Sequence, residues 1–79
     1  METERTEEYL EAIYKRQTKE TPVSTSALAA ELGVTQPAIT DMLRTLESKG
    51  LIAYKPGRGA RLTRIGEERA LDVIRRHRI

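Results

Sequence analysis

Residues 24–50 have the sequence STSALAAELGVTQPAITDMLRTLESKG, which predicts two helices joined by a short turn. We expect Ser24 to cap the first helix, because its hydroxyl can accept from backbone N–H groups of the first turn. Gly33 is expected to end that helix, since glycine adopts the left-handed conformation at little cost. Thr35 and Gly50 are the corresponding residues of the second helix. The segment therefore predicts a helix, a tight turn and a second helix.

The second of these helices has two distinct faces. Apolar residues recur at the i, i+3, i+4, i+7 spacing of a helix with one buried side, at Ile39, Met42, Leu43 and Leu46. The opposite face is short and polar, with Gln36, Pro37, Thr40, Asp41, Arg44 and Ser48. A helix-turn-helix places such a face in the DNA major groove. From these residues alone, two amphipathic helices of an ordinary bundle remain the alternative.

Composition limits the fold and the function. A chain of 79 residues can form one small domain with one core. The absence of cysteine excludes a disulfide framework and Cys-based zinc fingers. No apolar run approaches the length of a membrane span, so we expect a cytoplasmic protein that does not contact a membrane. With one histidine and no Gly-rich phosphate loop, an enzyme is not expected.

Charge is unevenly distributed along the chain, although the net charge is only +2. Residues 1–20 hold more acidic than basic side chains. Residues 61–79 hold arginines at 61, 64, 69, 75, 76 and 78 against Glu67, Glu68 and Asp72. This asymmetry predicts a surface that faces an anion on one side only.

A first helix is predicted over residues 4–18, with an apolar stripe of Tyr9, Leu10, Ile13 and Tyr14. Glu8 and Glu11 lie one turn apart beside this stripe. Sequence chemistry alone favours a solvated acidic face, which the helix dipole stabilises near the N-terminus. The loop that follows ends at Pro22, and Val23 is expected to pair briefly as a strand.

After Gly50 the apolar period changes to two, which predicts a β-hairpin. Its strands are expected at residues 51–54 and 60–63, joined by the Gly- and Pro-rich turn 55–59. Lys55 and Arg58 make the tip basic, which favours contact with DNA phosphates over an ordinary solvated turn.

A last helix is predicted over residues 64–78, with Ala70, Val73 and Ile74 buried. The only histidine, His77, lies near its end. A lone histidine near a chain end is more often a surface residue than a ligand.

Four segments together resemble a known family: TEEYLEAIY, VTQPAITDML, LESKGLIAYKPGRGARLT and the closing RRHRI. They are similar to the N-terminal winged-helix domain of the diphtheria-toxin-repressor family, and the resemblance extends from Thr6 to Ile79. It implies a mainly α fold with a small β-hairpin, namely a winged helix-turn-helix with three helices, a two-stranded wing and a fourth, C-terminal helix. Residues 1–79 would form a single winged-helix DNA-binding domain.

The resemblance also implies sequence-specific binding of double-stranded operator DNA. Thr25 and Ser26, at the start of the first helix of the motif, would meet phosphates, as would Arg58 in the wing. The groove-facing positions of the second helix would be Thr35, Pro37, Ala38, Thr40 and Asp41. Gln36 and Arg44 on the polar face and Lys55 in the basic tip are the further candidate DNA contacts. Some members carry an uncharged residue where this chain has Asp41, so the base read there is open.

Metal dependence is implied by the same resemblance. Glu8, Glu11 and His77 match family positions that bind Mn²⁺ or Fe²⁺, and a carboxylate at Glu8 is more like the manganese type. The family's dimerisation domain is not contained in residues 1–79, so we expect one domain of a longer, homodimeric repressor. On its own the chain would be a monomer with weak or no metal binding. The alternative is a winged-helix protein-interaction module without metal response.

Overall fold

The computed structural model describes residues 4–76, which form four helices and one two-stranded antiparallel hairpin. In chain order the elements are α1 (Glu4–Gln17), α2 (Thr25–Leu32), α3 (Gln36–Ser48), β1 (Ile52–Lys55), β2 (Gly59–Leu62) and α4 (Arg64–Arg76). This order confirms the mainly α fold with a small hairpin and the winged helix-turn-helix. The predicted end of α4, residues 77 and 78, lies outside the described residues.

The turn between α2 and α3 has the geometry that its sequence predicts. Ser24 Oγ accepts a hydrogen bond of 3.3 Å from the Ala27 N–H, and Thr35 Oγ1 accepts one of 3.3 Å from the Ala38 N–H. Gly33 ends α2 in the left-handed conformation, with φ of 68°. These caps fix where each helix begins, so α3 presents a defined set of side chains.

At the other end of α3, Gly50 takes φ of 77°. The Leu51 N–H then donates to the Leu46 carbonyl at 3.0 Å, which closes the helix and directs the chain into the hairpin. Thr63 caps α4, because its Oγ1 accepts from the Gly66 N–H at 3.1 Å. The hairpin is therefore held between two well-defined helix ends.

The hairpin strands are displaced by one residue from the predicted limits. Lys55 pairs with Gly59 and Ile52 pairs with Leu62, so the turn is shorter than residues 55–59. The Arg58 N–H donates to the Lys55 carbonyl at 3.0 Å and tightens the tip. Ile52 and Leu62 are buried, which sets the face of the hairpin that packs on the core.

Val23 pairs briefly as a strand residue, as expected, and the structure shows its partner to be Ala60, through N–H···O bonds of 2.8 and 2.9 Å. Gly59 makes this approach possible. Its φ is 127°, and a Cβ there would lie 2.2 Å from the Val23 carbonyl oxygen. The backbone contact holds the start of α2 beside the hairpin.

The core is aliphatic, and α1 packs against both α4 and β2. Tyr9 is buried, whereas Tyr14 and Tyr54 are partly buried at its edge. The prediction for α4 needs one correction, because Ile74 is only half-buried. Gly66 is buried in the first turn of α4 instead, where a Cβ would lie 1.9 Å from the Leu51 carbonyl oxygen.

Candidate DNA-binding surface

One face of α3 is solvent-exposed and polar. Ile39, Leu43 and Leu46 are fully buried, and this fixes the rotation of the helix about its axis. Of the residues predicted to meet DNA, Thr35, Gln36, Pro37, Ala38, Asp41 and Arg44 are exposed, while Thr40 is half-buried. The residues expected to meet DNA bases therefore share one accessible face, mostly in the first two turns of α3.

The start of α2 lies close to the hairpin. Ser26 is exposed and Thr25 is half-buried, both directly after the Ser24 cap. Backbone hydrogen bonds between Val23 and Ala60 hold the start of α2 beside β2. Two predicted phosphate-binding segments, distant in sequence, are thereby neighbours.

The hairpin is fixed relative to α3 and α1 by two further hydrogen bonds. Glu47 Oε2, near the end of α3, accepts from the Tyr54 N–H at 3.2 Å. Gln17 Oε1, at the end of α1, accepts from the Leu62 N–H at 3.1 Å. Both strands are thus tied to the helical body, which holds the exposed Lys55 and Arg58 in a defined position.

The cations of α4 differ in their partners from those of α3 and the hairpin. In α4, Arg64 lies 3.7 Å from Glu68, Arg75 lies 4.0 Å from Asp72, and Arg76 lies 2.7 Å from Glu7 of α1. In α3 and the hairpin, by contrast, no ion pair is formed within residues 4–76 by the four cations Arg44, Lys55, Arg58 and Arg61.

The arginines counted over residues 61–79 do not all belong to one element. Apart from Arg61, those arginines belong to α4 or lie beyond residue 76, and three of them have carboxylate partners. Arg61 is a candidate DNA contact that sequence reasoning missed. Its exposure could have been predicted from the alternation of side chains along β2, where Arg61 lies between the buried Ala60 and Leu62.

A groove runs between the start of α1 and the exposed face of α3. It is lined by Arg5, Tyr9, Val34, Ala38, Asp41, Met42 and Thr45. Arg5 thus places a positive charge on the same groove as the Asp41 carboxylate. This reduces the repulsion that a lone carboxylate would meet near a DNA phosphate.

The candidate metal ligands of α1 lie at a separate site. Glu8 and Glu11 line a cleft between α1 and α2, together with Lys15 and Glu31. Lys15 Nζ lies 2.9 Å from Glu11 Oε2, the i, i+4 ion pair of this helix. Within residues 4–76, no group of three His, Cys, Asp or Glu side chains is arranged to hold a metal ion. His77 lies outside the described residues.

The sequence matches the family model described as the iron-dependent repressor, N-terminal DNA-binding domain, over residues 1–60. The chain belongs to the iron-dependent repressor family. This confirms the resemblance to the diphtheria-toxin-repressor family and assigns the winged helix to that family's DNA-binding domain.

Relatives of this repressor domain include the transcriptional regulator MntR of Escherichia coli O157:H7, which is 46% identical over 52 residues. That match covers 66% of this chain and 34% of the regulator, so the chain spans about a third of its length. An uncharacterized HTH-type transcriptional regulator of Methanocaldococcus jannaschii is 35% identical over 75 residues, which cover 91% of this chain and 58% of that protein. These relatives are transcriptional regulators, not enzymes.

Two solved structures have the same fold. ScaR with bound Zn²⁺ superposes with a TM-score of 0.79 and the manganese regulator SloR with 0.77. Each is 29% identical to this repressor domain, and each match covers 92% of this chain and 34% of the other. None of the helices described within residues 4–76 is long and apolar enough to cross a membrane.

Proposed function

We propose that this domain binds operator DNA sequence-specifically, with α3 in the major groove and the hairpin on the DNA backbone. The observation that carries the proposal is that an exposed polar helix face and a group of cations without ion-pair partners within residues 4–76 lie side by side. The polar face of α3 is exposed while its apolar face is buried, and the cations beside it form no ion pair within the described residues. Such a surface has small polar groups for base edges and positive charge for phosphates.

Base contacts are assigned to α3. Pro37 and Ala38 offer apolar surface to thymine methyl groups, and Thr35, Gln36 and Thr40 offer hydrogen bonds to base edges. Asp41 can accept from cytosine N4, with Arg5 on the same groove. Arg44, about one turn after Asp41, is assigned to a phosphate or a guanine.

Phosphate contacts are assigned to the start of α2 and to the hairpin. Thr25 and Ser26 combine hydroxyl groups with the positive end of the α2 dipole. Lys55 and Arg58 add full charges at the tip of the hairpin. These contacts position the domain on the duplex without reading its sequence.

Surface composition favours DNA over a protein partner. The only large hydrophobic side chain that is exposed among the described residues is Ile65, which belongs to α4 and not to the α3 face. A protein interface would instead centre on aromatic or aliphatic anchors.

Part of a metal site is also proposed. Carboxylate oxygens suit Mn²⁺ and Fe²⁺, and Glu8 and Glu11 line one cleft. The ion pair between Arg76 and Glu7 brings the residue before His77 against the residue before Glu8. We therefore assign Glu8, Glu11 and His77 to a Mn²⁺ or Fe²⁺ site whose remaining ligands come from outside these residues. A bound metal would join α1 to the end of α4.

The rest of the proposal concerns the whole protein. Since this chain spans about a third of the MntR relatives, we propose that it is the single DNA-binding domain of a longer cytoplasmic repressor that acts as a homodimer. The isolated chain would then be a monomer, binding one half-site.

DNA binding is tested by titrating the 79-residue chain against duplex DNA of random sequence at several salt concentrations. Affinity should fall with salt, with a slope of about −0.9 for each phosphate neutralised. Selection of bound sequences from a random pool should enrich one motif. Affinity that is independent of salt would favour the protein-interaction alternative.

The metal assignment is tested by calorimetric titration of the same chain with Mn²⁺. Two carboxylates and one imidazole are too few for tight binding of an ion that prefers about six ligands. Weak binding that is lost in His77→Ala, and that falls below about pH 6.5 as the imidazole protonates, is expected. Tight binding, or weak binding unchanged by His77→Ala, would contradict the assignment.

A further inference from the structure

A hollow of about 170 Å³ lies on one face of the hairpin, towards its tip. We call it the wing hollow, and it is lined by Pro22, Ala53, Lys55, Arg58, Gly59 and Arg61. Half of these residues are cationic and none is acidic. The wing hollow is therefore a small concave surface of positive potential, which suits an anion.

Strand register explains why the hollow exists. Lys55 lies opposite Gly59, and Arg61 lies opposite Ala53, so each cation faces a residue with little or no side chain. The two cations are diagonal neighbours on one face of the strand pair, within reach of one another's side chains. The other face is packed into the core through Ile52 and Leu62. The hollow is thus a floor of small residues between two long cations.

The charges that surround the hollow are uncompensated within residues 4–76. Lys55, Arg58 and Arg61 form no ion pair there. Like charges held close together on one strand pair repel one another. An anion in the hollow would remove this repulsion, so a bound anion and the local charge pattern are complementary.

We propose that the wing hollow holds one backbone phosphate of the bound DNA, with Arg61 and Lys55 as its principal ligands and Arg58 beside them. This assignment rests on the proposed DNA binding and adds Arg61 to the residues that carry it. An arginine fork binds two phosphate oxygens at once, and the lysine adds a point charge.

The position of the hollow agrees with the rest of the surface. Pro22 forms one of its walls, and Ser24 caps α2 two residues later. The phosphate in the hollow therefore lies next to the DNA segment that meets Thr25 and Ser26. Because the Glu47 carboxylate of α3 accepts a hydrogen bond from the Tyr54 N–H, the hollow also has a fixed position relative to α3.

The test compares the 79-residue chain with Arg61→Gln and Arg64→Gln, using a mixed-sequence 20-base-pair duplex as probe. The two variants remove the same charge three residues apart, but Arg64 belongs to α4 and its side chain is 90% exposed beside Glu68. Arg61→Gln should weaken binding about eightfold at 0.1 M salt and reduce the salt slope by about 0.9, as expected for one lost phosphate. Arg64→Gln should change neither quantity by a comparable amount.

A second pair of variants blocks the hollow without removing a cation. Ala53→Glu places a carboxylate in the hollow and should lower affinity at least as much as Arg61→Gln, while Ala53→Gln, of similar size, should lower it less. Circular dichroism checks that each variant is folded. If the wild type shows no salt-dependent DNA binding, the proposed function itself fails. If the wild type binds and Arg61→Gln behaves like Arg64→Gln, only the wing hollow assignment is wrong.

Discussion

The hairpin and α4 are both rich in cations, yet they use them differently. In α4 the cations have neighbours: Arg64 lies near Glu68, Arg75 near Asp72, and Arg76 near Glu7 of α1. In the hairpin, Lys55 and Arg61 share the face of the strand pair opposite the buried one, Arg58 lies in the turn, and the three form no ion pair within residues 4–76.

The difference follows from local geometry. A helix brings side chains three and four positions apart together, so Arg64 lies near Glu68 and Arg75 near Asp72 in α4. A short strand with a basic turn has no such neighbours, and its charge faces outward. Counting arginines alone therefore overestimates the positive charge of α4, where Glu67, Glu68 and Asp72 offset them, relative to the hairpin, which has no acidic residue.

The largest expected effect comes from separating the hairpin from the helical body. In Gly59→Ala, the new Cβ would meet the Val23 carbonyl oxygen at 2.2 Å in a backbone conformation that L-residues rarely adopt. We expect the free energy of unfolding to fall by about 3 kcal/mol, the upper range for overpacking and backbone strain. Urea denaturation measures this loss.

Gly57→Ala is the matched control for that experiment. Gly57 also has a positive φ, of 82°, but a Cβ there meets nothing within 4 Å. Its cost should be limited to the backbone strain of about 1–2 kcal/mol. Equal losses in the two variants would show that the Val23 contact does not anchor the hairpin.

A smaller effect separates base readout from phosphate contact. Pro37→Ala should reduce discrimination between a selected DNA motif and random duplex by about 1–3 kcal/mol, because it removes an apolar contact with a base edge. Arg58→Ala should weaken binding to both DNAs alike, since phosphates carry no sequence information. A change of sequence preference in Arg58→Ala, with none in Pro37→Ala, would contradict the assignment of base contacts to α3 and of phosphate contacts to the hairpin.

How far the sequence predicts this surface depends on the range of the interactions involved. Helix α3 was predicted with its cap and its exposed face, because Thr35, Gly50 and the apolar spacing act locally. The wing hollow was not predicted, since it depends on the contact of Val23 with Ala60 and on a register that pairs Lys55 with Gly59. The charge count groups Arg61 with the arginines that follow it, because its place beside Lys55 depends on the same register.

The smallest expected effect belongs to α4. Arg76→Gln removes the ion pair with Glu7, whose side chain is 21% exposed. Exposed or partly exposed pairs contribute about 0–1 kcal/mol, so the free energy of unfolding should change little. Thermal unfolding measures it, and a loss well above that range would show that this pair is a principal link between α1 and α4.

The contrast between the two regions is tested most directly by removing equal charge from each. One variant carries Lys55→Gln, Arg58→Gln and Arg61→Gln, and the other carries Arg64→Gln, Arg75→Gln and Arg76→Gln. Both lower the net charge by the same amount, so only the location of the lost charge differs. The salt dependence of duplex DNA binding is the measurement. The account predicts that the hairpin variant loses at least about 0.9 of the salt slope, while the α4 variant keeps that of the wild type. Equal losses in the two variants would contradict it.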